Sequence, residues 1–327
     1  MTPAELRQQF PALRSWTWLN AAASSPTSAP ALAAMEAYLR ETAESGDLQY
    51  AKWARFREGL RARLAAYVGA TARELAFVPT TSFGFNVIGR MLLARGQTEV
   101  LTLEGEFPST VIPLLHAGLT LRVVKSRPDG TWPLAAIDAA LRPTTNAVAV
   151  SIVQYASGYR VDLTGLAALC RARGLTLILN GAQALGQVPI DLAALGASFF
   201  AAPGQKWFFA GYGLGTLVIR QDWLDAVPLP LGGWLSVAPA EQYQSWLHTT
   251  RVDDEHGFVA TGGALLRKEA SALEVGAGSL LGLHAMDAAL HLHEAVGTAN
   301  VLTHNIAPAA RASPSAARAR LLSPAAR

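Results

Sequence analysis

Cysteine is almost absent from this 327-residue chain, which contains a single one, Cys170. One thiol cannot form an internal disulfide, and its isolation is typical of proteins that stay in a reducing compartment, so we expect a cytoplasmic location. Cys170 lies in a helical pattern among leucines and alanines. That setting favours a packing role over a reactive one.

Charge is scarce and long apolar runs are missing. Charged residues make up 16% of the chain, and the net charge is +3. The basic residues are mostly scattered arginines, which do not form the continuous positive stripe that nucleic-acid binding requires. No stretch is long and apolar enough to span a membrane, and the first residues have no apolar signal region. The sequence therefore predicts no nucleic-acid partner, no membrane partner and no metal site.

Strand and helix patterns alternate through most of the chain. Strands are predicted at Leu75–Val78, Glu99–Leu103, Leu119–Val124, Ala147–Val153, Leu175–Leu179, Ser198–Ala202 and Thr216–Ile219. Helices are predicted over residues 2–10, 30–40, 52–68, 85–93, 110–117, 134–141, 163–173 and 280–296. This order predicts a doubly wound α/β domain, whose ligands bind beyond the carboxyl ends of the strands.

The periodicity weakens toward the C-terminus, which suggests a division of the chain. We expect an N-terminal segment over residues 1–15 and a large α/β domain over 16–230. Residues 231–307 are expected to form a connecting arm and a partial small domain, in which 249–263 read as a polar loop or arm. Residues 308–327 contain only Ala, Arg, Ser, Pro and Leu, so we expect them to be disordered.

Lys206 has an unusual setting among the four lysines of the chain, Lys52, Lys125, Lys206 and Lys268. It alone follows a buried-strand pattern, in the turn Pro203-Gly-Gln-Lys-Trp207. In a dry turn a lysine can lose its proton and act as a nucleophilic amine, which suits capture of a carbonyl such as pyridoxal phosphate. The same pattern also fits a lysine that extends from a strand end to solvent.

Three hydroxyl residues, Thr80, Thr81 and Ser82, lie between a predicted strand and the next helix. Hydroxyls and free backbone N–H groups at a helix N-terminus suit a phosphate group. A plain helix cap needs only one such residue, so the run of three favours the phosphate interpretation.

Several motifs together resemble class V aminotransferases, the fold-type I pyridoxal-phosphate group that includes cysteine desulfurases, isopenicillin N epimerase-like proteins and kynureninases. The motifs are Trp18–Ala23, Glu106–Ser109, Asn180–Asp191, Gly204–Trp207 and Gly211–Gly215, within a match over residues 16–296. The resemblance implies a mainly parallel, seven-stranded sheet sandwiched by helices, with a small C-terminal domain that is apparently truncated. It also implies a homodimer with pyridoxal 5'-phosphate as cofactor.

The resemblance assigns roles to individual residues. Lys206 would join the cofactor as an internal aldimine, and Phe107 would stack on its ring. Thr81 and Ser82 would hold the phosphate, and Gln183 would bond the phenolic oxygen or the phosphate side. The full cofactor-binding set is Thr80, Thr81, Ser82, Phe107, Gln154, Asn180, Gln183, Gln205 and Lys206, with Gln154 facing the ring hydroxyl.

The chain departs from the family pattern at several of these positions. Asn180 stands where family members nearly always have an aspartate, which keeps the ring nitrogen protonated. A neutral amide can only hydrogen-bond that nitrogen, so carbanion stabilisation should be weaker. Pro203, Gln205 and Ala277 stand where a serine, a histidine and a threonine are usual. The C-terminal segment that usually carries the carboxylate-binding arginine is also missing.

These observations support more than one function. The first is a pyridoxal-phosphate-dependent transferase or lyase that acts on a small amino acid by transamination, elimination or epimerisation. Cysteine desulfurase is disfavoured, because that reaction needs a mobile nucleophilic cysteine and Cys170 lies in a helix. The second is a catalytically degenerate relative that binds the cofactor weakly or not at all. A third is a lysine-based site for another carbonyl ligand.

Overall fold

A computed structural model describes residues 1–236, 250–253, 257–260 and 267–306 of the chain. Its strands are β1 (Leu75–Val78), β2 (Glu99–Leu103), β3 (Thr120–Val124), β4 (Ala147–Ser151), β5 (Thr176–Asn180), β6 (Phe199–Pro203), β7 (Gly215–Ile219), β8 (Thr250–Asp253) and β9 (Gly257–Ala260). Its helices are α1 (Pro3–Gln8), α2 (Ala29–Ser45), α3 (Tyr50–Tyr67), α4 (Thr81–Ala94), α5 (Pro108–Ala117), α6 (Leu134–Ala140), α7 (Leu163–Arg173), α8 (Leu192–Leu195), α9 (Gln221–Ala226) and α10 (Leu280–Val296). A further helical segment covers residues 298–306.

The first seven strands form one sheet in the order β1-β7-β6-β5-β4-β2-β3. Strands β2 to β6 pair in parallel with their neighbours, whereas β7 runs antiparallel to both β1 and β6. The carboxyl ends of β1, β2, β4, β5 and β6 therefore meet at one edge of the sheet. The predicted fold, a mainly parallel seven-stranded sheet in an α/β protein, is confirmed.

Each face of the sheet is covered by helices and has its own core. In β6 the neighbours Phe199 and Phe200 point to opposite faces, as the two-residue period of a strand requires. Phe200 packs on the side of α3, α7 and α10, while Phe199 packs on the side of α4 and α9. Both faces of the central strands are buried, which explains why these strands are continuous apolar runs.

The boundaries differ from the prediction where polar groups set them. Helix α4 begins at Thr81, four residues before the predicted start, because the Thr80 hydroxyl accepts a hydrogen bond from the Phe83 N–H at 3.1 Å. The polar stretch predicted as a loop contains the antiparallel pair β8 and β9. The predicted disordered tail, 308–327, lies outside the described residues.

The described C-terminal part packs onto the large domain. Helix α10 lies against α2 and α3, and a 3-10 turn at Ala270–Leu273 lies against β1 and β7. The predicted domain boundary near residue 231 stays a prediction. Among the described helices, each is either too short or too polar to cross a lipid bilayer.

Candidate functional site

A cleft of about 520 Å³ opens at the sheet edge where the strand carboxyl ends meet. The segments that follow β1, β2, β4, β5 and β6 all contribute to its wall, together with the N-terminal turn near Ala22. The lining residues predicted from sequence are Thr80, Thr81, Ser82, Phe107, Gln183, Gln205 and Lys206. The expected convergence of these turns on one cleft is therefore confirmed.

Lys206 lies in the loop that follows β6, half-buried in the cleft wall. Its Nζ is 5.1 Å from the centroid of the Phe107 ring. Burial lowers the pKa of the Lys206 amine below its usual range. The described lining contains no other lysine or arginine and no carboxylate, so no opposite charge holds this amine in its protonated form. A larger share of the Lys206 amine is therefore neutral and nucleophilic.

The backbone around Lys206 is fixed by neighbouring segments. The Ser25 hydroxyl donates to the Lys206 carbonyl at 2.7 Å, and the Ser25 N–H donates to the Gln205 carbonyl at 2.8 Å. Gly204 is required by close approach, since a Cβ there would lie 2.8 Å from the Leu214 carbonyl oxygen. Phe209 takes a positive φ of 65°, which is unfavourable for an aromatic residue. These contacts hold the amine in place.

The N-terminus of α4 forms the opposite wall of the cleft. Thr80 caps the helix, while the hydroxyls of Thr81 and Ser82 make no hydrogen bond within the described part of the chain. The helix is 14 residues long, and its N-terminal turn carries partial positive charge. Unpaired hydroxyls at such a terminus form a site for an anionic group.

Asn180 and Gln183 use their amides mainly within the protein. Asn180 ends β5, is 1% exposed and lies beneath the cleft wall rather than on it. Its Nδ2 donates to Thr110 Oγ1 at 2.7 Å, and its Oδ1 accepts from the Ala182 N–H at 2.8 Å. Gln183 lines the cleft, where its Oε1 accepts from Trp207 Nε1 at 2.7 Å and its Nε2 donates to the Ala22 carbonyl at 2.9 Å.

Gln154 also lies beneath the wall, directed at a buried carboxylate. Its Nε2 donates to Glu106 Oε1 at 2.8 Å. Glu106 further accepts from the Ser151 N–H at 2.7 Å and from the Ser151 hydroxyl at 2.6 Å. Burial raises the pKa of the Glu106 carboxyl, and these hydrogen bonds oppose the rise.

The sequence prediction left several functional positions unassigned. The structure adds Tyr155 and Tyr212 to the cleft wall, and Glu106 and Thr110 to the layer beneath it. Glu106 lies in a predicted motif, but sequence alone gave it no role. The available signal was a glutamate in a Gly-Glu-Phe-Pro turn directly after a buried strand.

Two residues considered for catalysis lie away from the cleft. Cys170 is 2% exposed in the core, and burial raises the pKa of its thiol to about 12, so the predicted packing role is confirmed. Arg267, which the sequence makes a poor substitute for the family's carboxylate-binding arginine, donates to Glu269, Ser271 and the Leu235 carbonyl.

Comparison with known proteins places these observations in a family. The family model for Aminotransferase class-V matches residues 17–315. A probable cysteine desulfurase from Methanothermobacter thermautotrophicus is 30% identical over 241 residues, 71% of this chain. An uncharacterized aminotransferase from Bacillus subtilis is 26% identical over 303 residues, which cover 92% of this chain and 76% of that protein. The chain spans only 60% of the length of the Methanothermobacter protein.

Solved structures show the same fold. The apo cysteine desulfurase from Thermococcus onnurineus superposes with a TM-score of 0.77 at 21% identity, covering 91% of this chain and 72% of that one. A C-DES variant with glycine linked to its PLP cofactor gives 0.74 at 22% identity, covering 90% and 75%. Similarity at these identities establishes the architecture, while the chemistry must be argued from the residues.

The residues of the cleft fit pyridoxal phosphate. The donor set offers one amine for an aldehyde, unpaired hydroxyls at a helix N-terminus for a phosphate, and an aromatic face at Phe107 for a ring. The volume lies within the usual range for cofactor sites. Asn180 and Gln154, predicted to face ring atoms, stay predictions, because their side chains lie one layer below the wall.

Proposed function

The chain belongs to the class-V aminotransferase family, whose cofactor is pyridoxal phosphate, and from this premise we propose that it is an enzyme acting on a small amino acid. Lys206 is its catalytic amine. One observation carries the proposal: the only lysine of the described cleft lining shares a cleft without carboxylates with a hydroxyl-rich helix N-terminus.

Each part of the cofactor has a candidate partner. Lys206 would hold the aldehyde carbon, Thr81 and Ser82 with the α4 N-terminus would hold the phosphate, and Phe107 would cover the ring. When bound, pyridoxal phosphate supplies a carbonyl that takes up the amino group of the substrate and an electron-withdrawing ring that acidifies its Cα–H bond. The protein contributes orientation, water exclusion and proton transfer.

Proton transfer would fall to Lys206. Once its nitrogen is free of the cofactor, the neutral amine can accept a proton from the substrate Cα and return it to a neighbouring atom. The lowered pKa supports this role, because a larger share of the amine is then neutral near pH 7. The Ser25 hydroxyl, which bonds the Lys206 carbonyl, keeps the base in position.

The position of the single cysteine excludes one of the reactions known in this family. Transfer of sulfur to Cys170 is not available, since the thiol is buried in the core and its pKa is raised to about 12. Elimination, transamination and epimerisation require no cysteine nucleophile, and Lys206 can supply their proton transfer at Cα. Because a curated relative is named a probable cysteine desulfurase and a neighbour of the same fold a cystine C-S lyase, we propose small sulfur-containing amino acids as the first substrates to test.

A catalytically degenerate relative is the second candidate. Asn180 is neutral, and apart from Lys206 the described cleft lining has no cationic side chain to bind a substrate carboxylate. Such a protein would bind the cofactor weakly or not at all and would turn over no amino acid.

Titration of the purified protein with pyridoxal phosphate separates these functions. Wild type should develop a cofactor absorption band that Lys206→Ala abolishes and that Lys125→Ala, at an exposed position, leaves intact. The loaded protein is then incubated with cysteine, cystine, serine and alanine. Pyruvate with ammonia indicates elimination, a keto acid without ammonia transamination, and the D-enantiomer epimerisation. A band without turnover supports the degenerate relative, and no band at high cofactor concentration rejects the enzyme and also supports the degenerate relative.

A further inference from the structure

Glu106 is a buried carboxylate satisfied only by uncharged donors. It is 8% exposed and accepts hydrogen bonds from the Ser151 N–H, the Ser151 hydroxyl and Gln154 Nε2. The Thr110 side chain also lowers the pKa of the same carboxyl. No lysine, arginine or histidine of the described chain lies within ion-pair distance of it.

Such a site is costly if its role is only structural. A buried charge without a counter-ion destabilises the fold, and a neutral amide could accept part of the same hydrogen bonds at lower cost. The donors around Glu106 are arranged to receive an anion, since the backbone N–H and both hydroxyls can all point their hydrogens at it. Buried ionisable groups of this kind concentrate at functional sites.

The position of Glu106 connects it to the cleft. Ser151, which it binds, is the register partner of Asn180 between β4 and β5. Thr110 accepts from Asn180 Nδ2 at 2.7 Å, and its side chain lowers the pKa of the Glu106 carboxyl. The next residue, Phe107, lines the cleft, and its ring centroid is 5.1 Å from Lys206 Nζ. The carboxylate therefore lies one hydrogen-bonded layer below the cofactor cleft.

We propose that Glu106 is the negative charge held beneath this cleft, and that Thr110 transmits its effect to the neutral amide of Asn180. The Thr110 hydroxyl accepts from Asn180 Nδ2 while Asn180 Oδ1 accepts from the Ala182 N–H, so the orientation of the amide is fixed. Glu106 is thus a positioning residue that also favours positive charge in the cleft. The identity of the ligand rests on the proposed function, whereas the coupling of Glu106 to Asn180 does not.

The coupling can be measured on the protein without cofactor. Asn180→Asp places a second carboxylate in the same network, where two negative charges repel. At pH 8 we expect Asn180→Asp to lower the melting temperature by about 5 °C in a background with Glu106, and by less than half as much together with Glu106→Gln. An equal decrease in both backgrounds would overturn the inference. Glu104→Gln, at an exposed carboxylate in the same turn that binds Ser126, is the matched control and should leave the Asn180→Asp effect unchanged.

The functional part is tested by cofactor affinity. Glu106→Gln should weaken pyridoxal phosphate binding about tenfold, and adding Asn180→Asp should restore it to within about threefold, since the charge returns to the neighbouring position. Glu104→Gln should bind as wild type does. Unchanged affinity in Glu106→Gln, or no recovery in the double variant, contradicts a charge role.

Two further outcomes are distinguishable. If Glu106→Gln does not fold by circular dichroism, Thr110→Val replaces it, and it should reduce the Asn180→Asp effect on melting by half or more; an unreduced effect overturns the inference. If wild type binds no pyridoxal phosphate, the proposed function fails, and the melting comparison alone decides whether Glu106 is coupled to Asn180.

Discussion

Two buried glutamates in this fold have opposite surroundings. Glu274 binds the guanidinium of Arg61 through both carboxylate oxygens, and Arg57 lies 3.9 Å away. Glu106 is equally buried, yet its described partners are all uncharged. The first carboxylate joins α3 to the segment after the 3-10 turn, whereas the second lies under the cleft.

The two regions differ in whether each buried charge has a counter-ion. In the Arg57-Arg61-Glu274 cluster every buried charge has a counter-ion. At the cleft, Lys206 and Glu106 have none within the described chain. Unpaired groups on the two sides of the cleft wall indicate a site arranged for a ligand that supplies the missing partners.

Removing one member of the paired cluster should have the largest effect. Arg61→Met leaves Glu274 with only the distant Arg57, so we expect a loss of about 3–5 kcal/mol in the free energy of unfolding, measured with guanidinium chloride. Arg63→Met, on the same helix in a more exposed pair with Asp287, should cost less than about 1 kcal/mol. Equal losses of unfolding free energy in the two variants would mean that the buried cluster stabilises the fold no more than the exposed pair does.

His293 is another buried ionisable group, and it should make the stability of the fold sensitive to acid. It is stacked between Phe208 and Phe209 at 4.8 Å from each ring centroid, and burial lowers its pKa to about 4. The unfolded chain then takes up a proton near pH 6.5 that the folded chain refuses until about pH 4, so stability should fall as the pH drops through that window.

The stability of His293→Phe should fall less than that of wild type as the pH drops through the same window. Urea denaturation at pH 7 and pH 5 would measure the difference. His291→Gln, on the exposed face of the same helix, is the control and should follow wild type. An equal dependence of stability on pH in wild type and His293→Phe would show that His293 is not the group responsible.

Lys206 should produce a smaller effect of pH on stability, and this effect should lie on the alkaline side. Its folded pKa is lowered by burial, so below that pKa the protein bears the cost of a buried ammonium group that the unfolded chain does not. Lys206→Met should therefore melt higher than wild type at pH 7, and the difference should shrink as the pH approaches 10.5. Lys125→Met, at an exposed position, should show no such trend.

Cys170 should give the smallest effect. Its replacement by alanine removes one buried sulfur, which we expect to cost about 1 kcal/mol and to leave cofactor binding unchanged. In the native protein the thiol should also resist a disulfide reagent that reacts after unfolding. A loss of activity in Cys170→Ala would revive the desulfurase interpretation.

Much of the fold was predictable because it depends on local pattern. Continuous apolar runs identified the strands of the main sheet, and apolar residues at three- and four-residue spacing identified α3. The helices α8 and α9 were missed because they are short. The β8–β9 pair was missed because each strand has only four residues and lies in a poorly periodic stretch.

The site was predictable only in part, for a related reason. The turns after the strands could be assigned to one cleft by topology, and Lys206 by its dry setting. The role of Glu106 could not, because it depends on contacts with Ser151 and Gln154, 45 and 48 residues along the chain. Nothing in the local turn shows which polar groups the fold will bring to that carboxylate.

One experiment tests the central claim most directly. The chain has four lysines, so the protein incubated with pyridoxal phosphate can be reduced with borohydride, digested and mapped by mass spectrometry. We predict a pyridoxyl group on the peptide that contains Lys206. A modification confined to Lys52, Lys125 or Lys268, or none at all, would contradict the assignment of the cleft as the cofactor site.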